Sequence, residues 1–208
     1  MMNTPLRSHP AAHAGRFARA AAPLLLAALA ACAGDGTGPG EAKPGSVAFA
    51  YSGSGPEGTI QGTYQVLRDP VGLVPRLTES YALGQRVESQ GVLRVVANMA
   101  REGQRADFAQ VTIPRLTVGS EAITGICPGE SCAAVSLGID LATGGVSQAK
   151  YSCSLDQGII RIFSIQNGRA EGEFSGTGSC VGAPGTADLE EFSITGGTFD
   201  VKVRDVPG

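Results

Sequence analysis

The chain has 208 residues, of which 42% are hydrophobic, 17% charged and 5% aromatic, with 30 glycines, no tryptophan and a formal net charge of −3. Its apolar content suits one domain with a single core, and the acidic balance argues against a nucleic-acid-binding surface, which would need a basic footprint. Charges alternate along the chain without an acidic or basic block, the pattern of a dispersed, solvated surface.

Met1 to Ala18 carries Arg7 and Arg16, Arg19 follows, and no acidic residue occurs before an apolar run from Ala20 to Ala31. This order of positive charge then apolar residues is that of a secretory signal, and a run of about twelve residues is short of the roughly twenty needed to span a bilayer as a helix. Leu29-Ala30-Ala31-Cys32 follows, then the polar, glycine-rich Ala33-Gly34-Asp35-Gly36-Thr37-Gly38-Pro39-Gly40, which has the composition of a flexible tether. The tetrapeptide and its surroundings resemble the lipobox of bacterial lipoproteins. The resemblance implies cleavage before Cys32, lipidation of its thiol, acylation of the new amine, and anchoring in the cell envelope. Two or more acyl chains suffice for stable anchoring without a transmembrane helix. Ala33 stands where an aspartate would resemble an inner-membrane retention mark, so outer-membrane delivery is expected. The expected organisation is a signal peptide over 1–31, a lipidated cysteine and tether over 32–45, and one domain over 46–208.

Removing residues 1–31 takes away Arg7, Arg16 and Arg19, leaving thirteen of sixteen basic residues against nineteen acidic ones, a net of −6. Both histidines, His9 and His13, lie in the segment expected to be lost. A mature chain without imidazole cannot assemble a Ser-His-Asp or Cys-His arrangement or a histidine-ligated metal site. With Cys32 assigned to lipid, Cys127, Cys132, Cys153 and Cys180 remain, and four cysteines allow three connectivities. The short loop around Pro128-Gly129 favours Cys127 with Cys132, which leaves Cys153 for Cys180. Export to an oxidising compartment favours disulfides over metal binding by these thiols.

Beyond the tether, apolar residues recur with period two between glycine-containing turns, the pattern of half-buried strands. Ile60, Tyr64 and Val66 share one face against Thr59, Gln61, Thr63 and Gln65. The stretch Thr78 to Glu88 could form a helical turn or two, although Gly84 interrupts it and no 3.6-residue stripe develops. Leu93, Val95, Ala97 and Met99, a turn at Arg101 to Gln104, and Ala109, Val111 and Ile113 predict a hairpin. Val135, Leu137, Ile139 and Leu141 define a further strand that ends at Thr143-Gly144-Gly145. Ala149, Tyr151, Cys153 and Leu155 share the next apolar face. Gly172, Phe174, Gly176, Gly178 and Cys180 then oppose Glu171, Glu173, Ser175 and Thr177, and Phe199 to Arg204 alternates to the end. The expected fold is an all-β, antiparallel β-sandwich of about nine or ten strands, favoured over a closed barrel. "GIIRIFSIQNGRAEGEFSGTG" and "EFSITGGTFDVKV" resemble the closing strands of envelope lipoprotein β-sandwich domains of unknown function. That likeness implies fold and no activity.

Candidate sites are few. Glu171 and Glu173 lie about 7 Å apart on one strand face, within range for a glycosidase carboxylate pair, although a solvated strand face explains them as well. Asp188, Glu190 and Glu191 offer oxygen ligands for calcium, against the plainer reading of a charged turn. Lys150 beside Ser152 suggests a serine–lysine dyad on paper, but an exposed lysine keeps its proton. The glycine-rich stretches lack the lysine and helix of a phosphate cradle, and no cofactor is expected. Together these features predict a lipid-anchored, non-enzymatic binding or structural module, its ligand an unnamed envelope protein or glycan. The alternatives are a carboxylate-dependent glycan hydrolase and a calcium- or glycan-binding adhesin domain.

Overall fold

A computed structural model of the chain describes residues 43–72, 76–124, 132–143 and 148–206. They form an all-β domain of ten strands: β1 (Ser46–Gly55), β2 (Gly58–Leu67), β3 (Tyr81–Val87), β4 (Val92–Arg101), β5 (Arg105–Ile113), β6 (Gly119–Thr124), β7 (Ala134–Ala142), β8 (Tyr151–Gln166), β9 (Arg169–Gly182) and β10 (Leu189–Val206). Cys32, Cys127 and the expected signal and tether up to residue 42 lie outside the described residues.

The alternating pattern builds the strands as expected. In β2, Tyr64 and Val66 are buried while Thr59, Gln61, Thr63 and Gln65 are exposed. In β9, Ala170, Gly172, Phe174 and Cys180 are buried on the face opposite Glu171 and Thr177. The β4–β5 hairpin turns through Gly103 and Gln104, both with positive φ, and the β8–β9 hairpin through Asn167 and Gly168 at φ 52° and 69°. Two successive left-handed residues match the right-handed twist of a hairpin, which is why Asn-Gly serves there.

One stretch departs from expectation. Thr78 to Glu88 forms no helical turn beyond a short 3₁₀ segment at Glu88–Gln90, and Tyr81–Val87 is a strand. Gly84 fits there because β10 passes closely; a Cβ at this position would lie 3.0 Å from a Val203 methyl and 3.2 Å from the Lys202 carbonyl oxygen. Strand β3 runs parallel to the end of β10, from Gly84↔Val203 to Val87↔Val206, whereas the other strand pairs are antiparallel.

The layers of the sandwich share hydrogen bonds at their corners. Along its length β10 pairs first with β1 and then with β3, and β8 pairs first with β7 and then with β6. Because β3, β4, β5 and β7 are paired in series, and β8, β9 and β10 likewise, the ladder closes on itself. The β1–β2 hairpin folds across the opposite layer, and the Tyr64 hydroxyl on β2 reaches the Asp107 carbonyl oxygen on β5 at 3.4 Å. One core fills the interior, with Phe49 stacked on Tyr64 at 4.7 Å between ring centroids and edge-on to Phe174 at 5.6 Å. A smaller cluster of Tyr81, Leu83 and Val96 lies on the other face of β3 and β4. Asn98 is buried beside it and donates from Nδ2 to the carbonyls of Leu77 and Glu79.

The Cys153–Cys180 disulfide joins directly paired residues of β8 and β9, with the Cα atoms 3.9 Å apart. Cys132 is also disulfide-bonded.

Candidate functional site

The carboxylates singled out in the sequence do not converge. Glu171 and Glu173 stand on the outward face of β9, where Glu173 accepts a hydrogen bond from Arg161 Nη1 at 2.6 Å in a half-exposed ion pair. Neither lines the two hollows described below. Asp188 Oδ1 accepts from the Gly182 backbone N–H at 2.8 Å, and Glu191 Oε2 accepts from Ser54 Oγ at 3.1 Å. Among the described residues no group of three or more His, Cys, Asp or Glu is placed to hold a metal ion. Lys150 is exposed, and its ammonium lies over the Tyr151 ring, 5.6 Å from the centroid.

Sequence reasoning missed a concave feature of the sheet. A groove of about 700 Å³ runs over the outer face of β2, β1, β10, β9 and β8, where the strand alternation turns short polar side chains outward. Ser52 and Ser54 of β1, Gln61 of β2, Thr177 of β9 and Ser193 of β10 line it, and the Ser52 and Ser193 hydroxyls hydrogen-bond across strands at 2.8 Å. Asp156, Glu190 and Glu191 add carboxylates, and no basic residue lines it. A smaller hollow of about 420 Å³ adjoins it at Thr59 and Ile60 and brings in Glu57, Asp188 and Lys150. Bulges shape this face. The register slips between Leu155 and Gln157 in β8 and between Leu189 and Phe192 in β10, which sets Asp156, Glu190 and Glu191 on the outer side. Thr59, Gln61 and Thr177 were legible as outward-facing, but Ser52 and Ser54, in a glycine-rich stretch that reads as a turn, were not, nor was which strands stand side by side.

The other end of β1 carries a clamp. Lys43 Nζ lies 2.7 Å from Asp200 Oδ2, Arg169 Nη2 donates to Asp200 Oδ1 at 2.6 Å, and Arg169 Nη1 donates to the Lys43 carbonyl at 2.7 Å. Asp69 accepts from the Gly45 N–H at 2.9 Å and from Lys202 Nζ. Burial works to raise the Asp69 carboxyl, but the hydrogen bonds from Lys202 and Gly45 outweigh it and hold its pKa below the usual carboxylate range. The first described residues are therefore fixed to β9, β10 and the segment after β2. From Ser46 at the clamp to Ser54 in the groove, β1 rises about 27 Å at roughly 3.4 Å per residue.

A third polar cluster surrounds one buried carboxylate. Asp107 is fully buried on β5; its Oδ2 accepts from Arg101 Nη2 and its Oδ1 from the Asp140 N–H at 2.8 Å, while Asp140 pairs with Arg105. The Tyr51 phenol reaches the same place across Gly62, where a Cβ would lie 2.5 Å from the hydroxyl oxygen. Burial raises the Tyr51 pKa, and the neighbouring Asp107 charge adds to the effect, so the phenol stays protonated at neutral pH. Each charge in this cluster has a partner, and the pairs join β4, β5 and β7.

No protein-family model matches the chain, and neither the curated proteins nor the solved structures offer a significant match.

Proposed function

We propose that the protein is a lipid-anchored binding module of the bacterial cell envelope, held by Cys32 and non-catalytic, with its polar groove turned away from the membrane. The observation that carries this reading is the opposition along β1: the chain enters the domain at the Lys43–Asp200–Arg169 clamp, and the groove opens at the far end of the strand. Lys43 stands at the opposite end of β1 from the Ser52 and Ser54 face. The groove supports binding through the hydrogen bonds that its hydroxyls, amides and carboxylates offer. Metabolic labelling with palmitate followed by membrane fractionation tests the anchor. The expected outcome is labelled, membrane-bound wild type and an unlabelled Cys32→Ala variant that is released or left as uncleaved precursor. Unchanged labelling and partitioning of the variant would overturn the reading.

A further inference from the structure

We propose that the free edge of β2, beside the groove, is a docking site for an extended, cationic polypeptide segment that adds to the sheet as a further strand. This deepens the binding-module reading, on which it rests, and does not depend on the lipid anchor.

Strand β2 is ten residues long and pairs with β1 in unbroken register from Ser46↔Leu67 to Gly55↔Gly58. Among the described residues no other strand pairs with it. An antiparallel ladder uses the backbone groups of alternate residues, so about five residues of β2 aim their N–H and C=O at the open edge. Such an edge is normally blunted by brevity, a lysine, a proline or a bulge. Gly58-Thr59-Ile60-Gln61-Gly62-Thr63-Tyr64-Gln65-Val66-Leu67 has none of these, whereas β6, the other end of the strand order, has only six residues and carries Glu121. A long, regular, uncharged edge is the template that strand addition uses.

The charge around it selects the partner. The groove that begins at Thr59 and Gln61 holds Asp156, Glu190 and Glu191, and Glu57 and Asp188 flank the start of β2, with Lys150 the one base lining either hollow. An added strand with lysine or arginine at alternate positions brings positive charge toward Glu57 and Asp188 and into the field of the groove acids, while an acidic segment meets like charge. A second copy of β2 fits less well. Antiparallel self-pairing centred on Thr63 places Glu57 opposite Asp69, and the uncharged strand leaves the groove acids without a counter-charge.

The experiment titrates the full-length protein with fluorescently labelled nine-residue peptides, alternating lysine–threonine or glutamate–threonine, and follows anisotropy at low ionic strength. The lysine peptide is then N-methylated at alternate residues in each of the two phases, which blocks one backbone edge at a time. The expected result is binding of the lysine peptide at least about tenfold tighter than the glutamate peptide, loss of about tenfold or more in one N-methyl phase only, and new amide protection in β2. Equal binding by both N-methyl phases, protection away from β2, or no binding overturns the proposal. Concentration-dependent protection of β2 without peptide overturns it in favour of a second copy. Full competition by spermine, which has charge and no peptide backbone, also overturns strand addition but leaves the groove as a binding site. The state of Cys32 affects none of these readings.

Discussion

Asp69 links a single ionisation to the point where the chain joins the domain. Its depressed pKa means that the folded state holds the carboxylate more tightly than the unfolded chain does, so its contribution is present above the ordinary aspartate range. As pH falls through the folded value the contribution is lost, and Lys202 and Gly45 lose their acceptor. Asp69→Asn should therefore cost about 1 kcal/mol near neutral pH and show a shallower loss of stability on acidification than wild type, read from urea midpoints between pH 7 and pH 3. Parallel pH profiles for the two proteins would refute this. None of these partners was legible in the sequence, because Asp69 is far along the chain from Lys202 and nothing local joins them. Gly62 is a similar case. Nothing in the sequence singles it out, and in the structure it is the gap through which Tyr51 reaches the Arg101–Asp107 pair.

At the scale of elements, period-two alternation identified β2, β4, β5, β7 and β9 together with their buried faces. It failed where bulges change the parity. In β8 the buried set passes from Tyr151, Cys153 and Leu155 to Ile160 and Ile162, across the slip between Leu155 and Gln157. In β10 it passes from Phe192 and Ile194 to Phe199 and Val201, across the slip between Ile194 and Gly197, where Gly196 has φ 61°. A bulge leaves little compositional mark, so each long strand looked like shorter ones or went unread. Strands β3 and β6 escaped for a different reason. Tyr81–Val87 is buried on both faces, so its apolar residues do not alternate, and Gly119–Thr124 is short. The Cys153–Cys180 bond lies in the best-read part of the sheet. On the chain-entropy account, closing a loop with a sequence separation of 27 contributes about 3.5 kcal/mol. Replacing both cysteines with alanine should lower the free energy of unfolding by roughly that amount, measured by guanidinium denaturation. A loss under about 1 kcal/mol would show that the native pairing of β8 and β9 already restrains the unfolded chain.

For the whole molecule, the shared use of β8 and β10 decides how stability is distributed. Strands β3, β4, β5, β7, β8, β9 and β10 close a ring in which each has a neighbour on both sides. Strands β2 and β6 each pair with a single strand. Native-state hydrogen exchange should show the ring amides opening near the global unfolding free energy, and those of β2 and β6 at lower cost. Uniform protection through β2 would mean that its edge is covered. The expected two-layer sandwich is present, with its corners hydrogen-bonded, because β10 passes from β1 to β3 along its 18 residues.

Sequence alone determined the all-β class, most of the inward and outward faces, and the placing of Cys153 and Cys180 on inward faces. Each follows from local alternation or from residue chemistry that acts without knowledge of neighbours. Tertiary structure alone decided that β1 lies beside β10, that β3 joins the end of β10 in parallel, and that a polar groove and a charged clamp occupy opposite ends of one strand. These depend on which distant segments share a ladder. Each strand's polar face satisfies water equally well beside any neighbour, so only the packing of the apolar faces and the bulges that bend them selects the order.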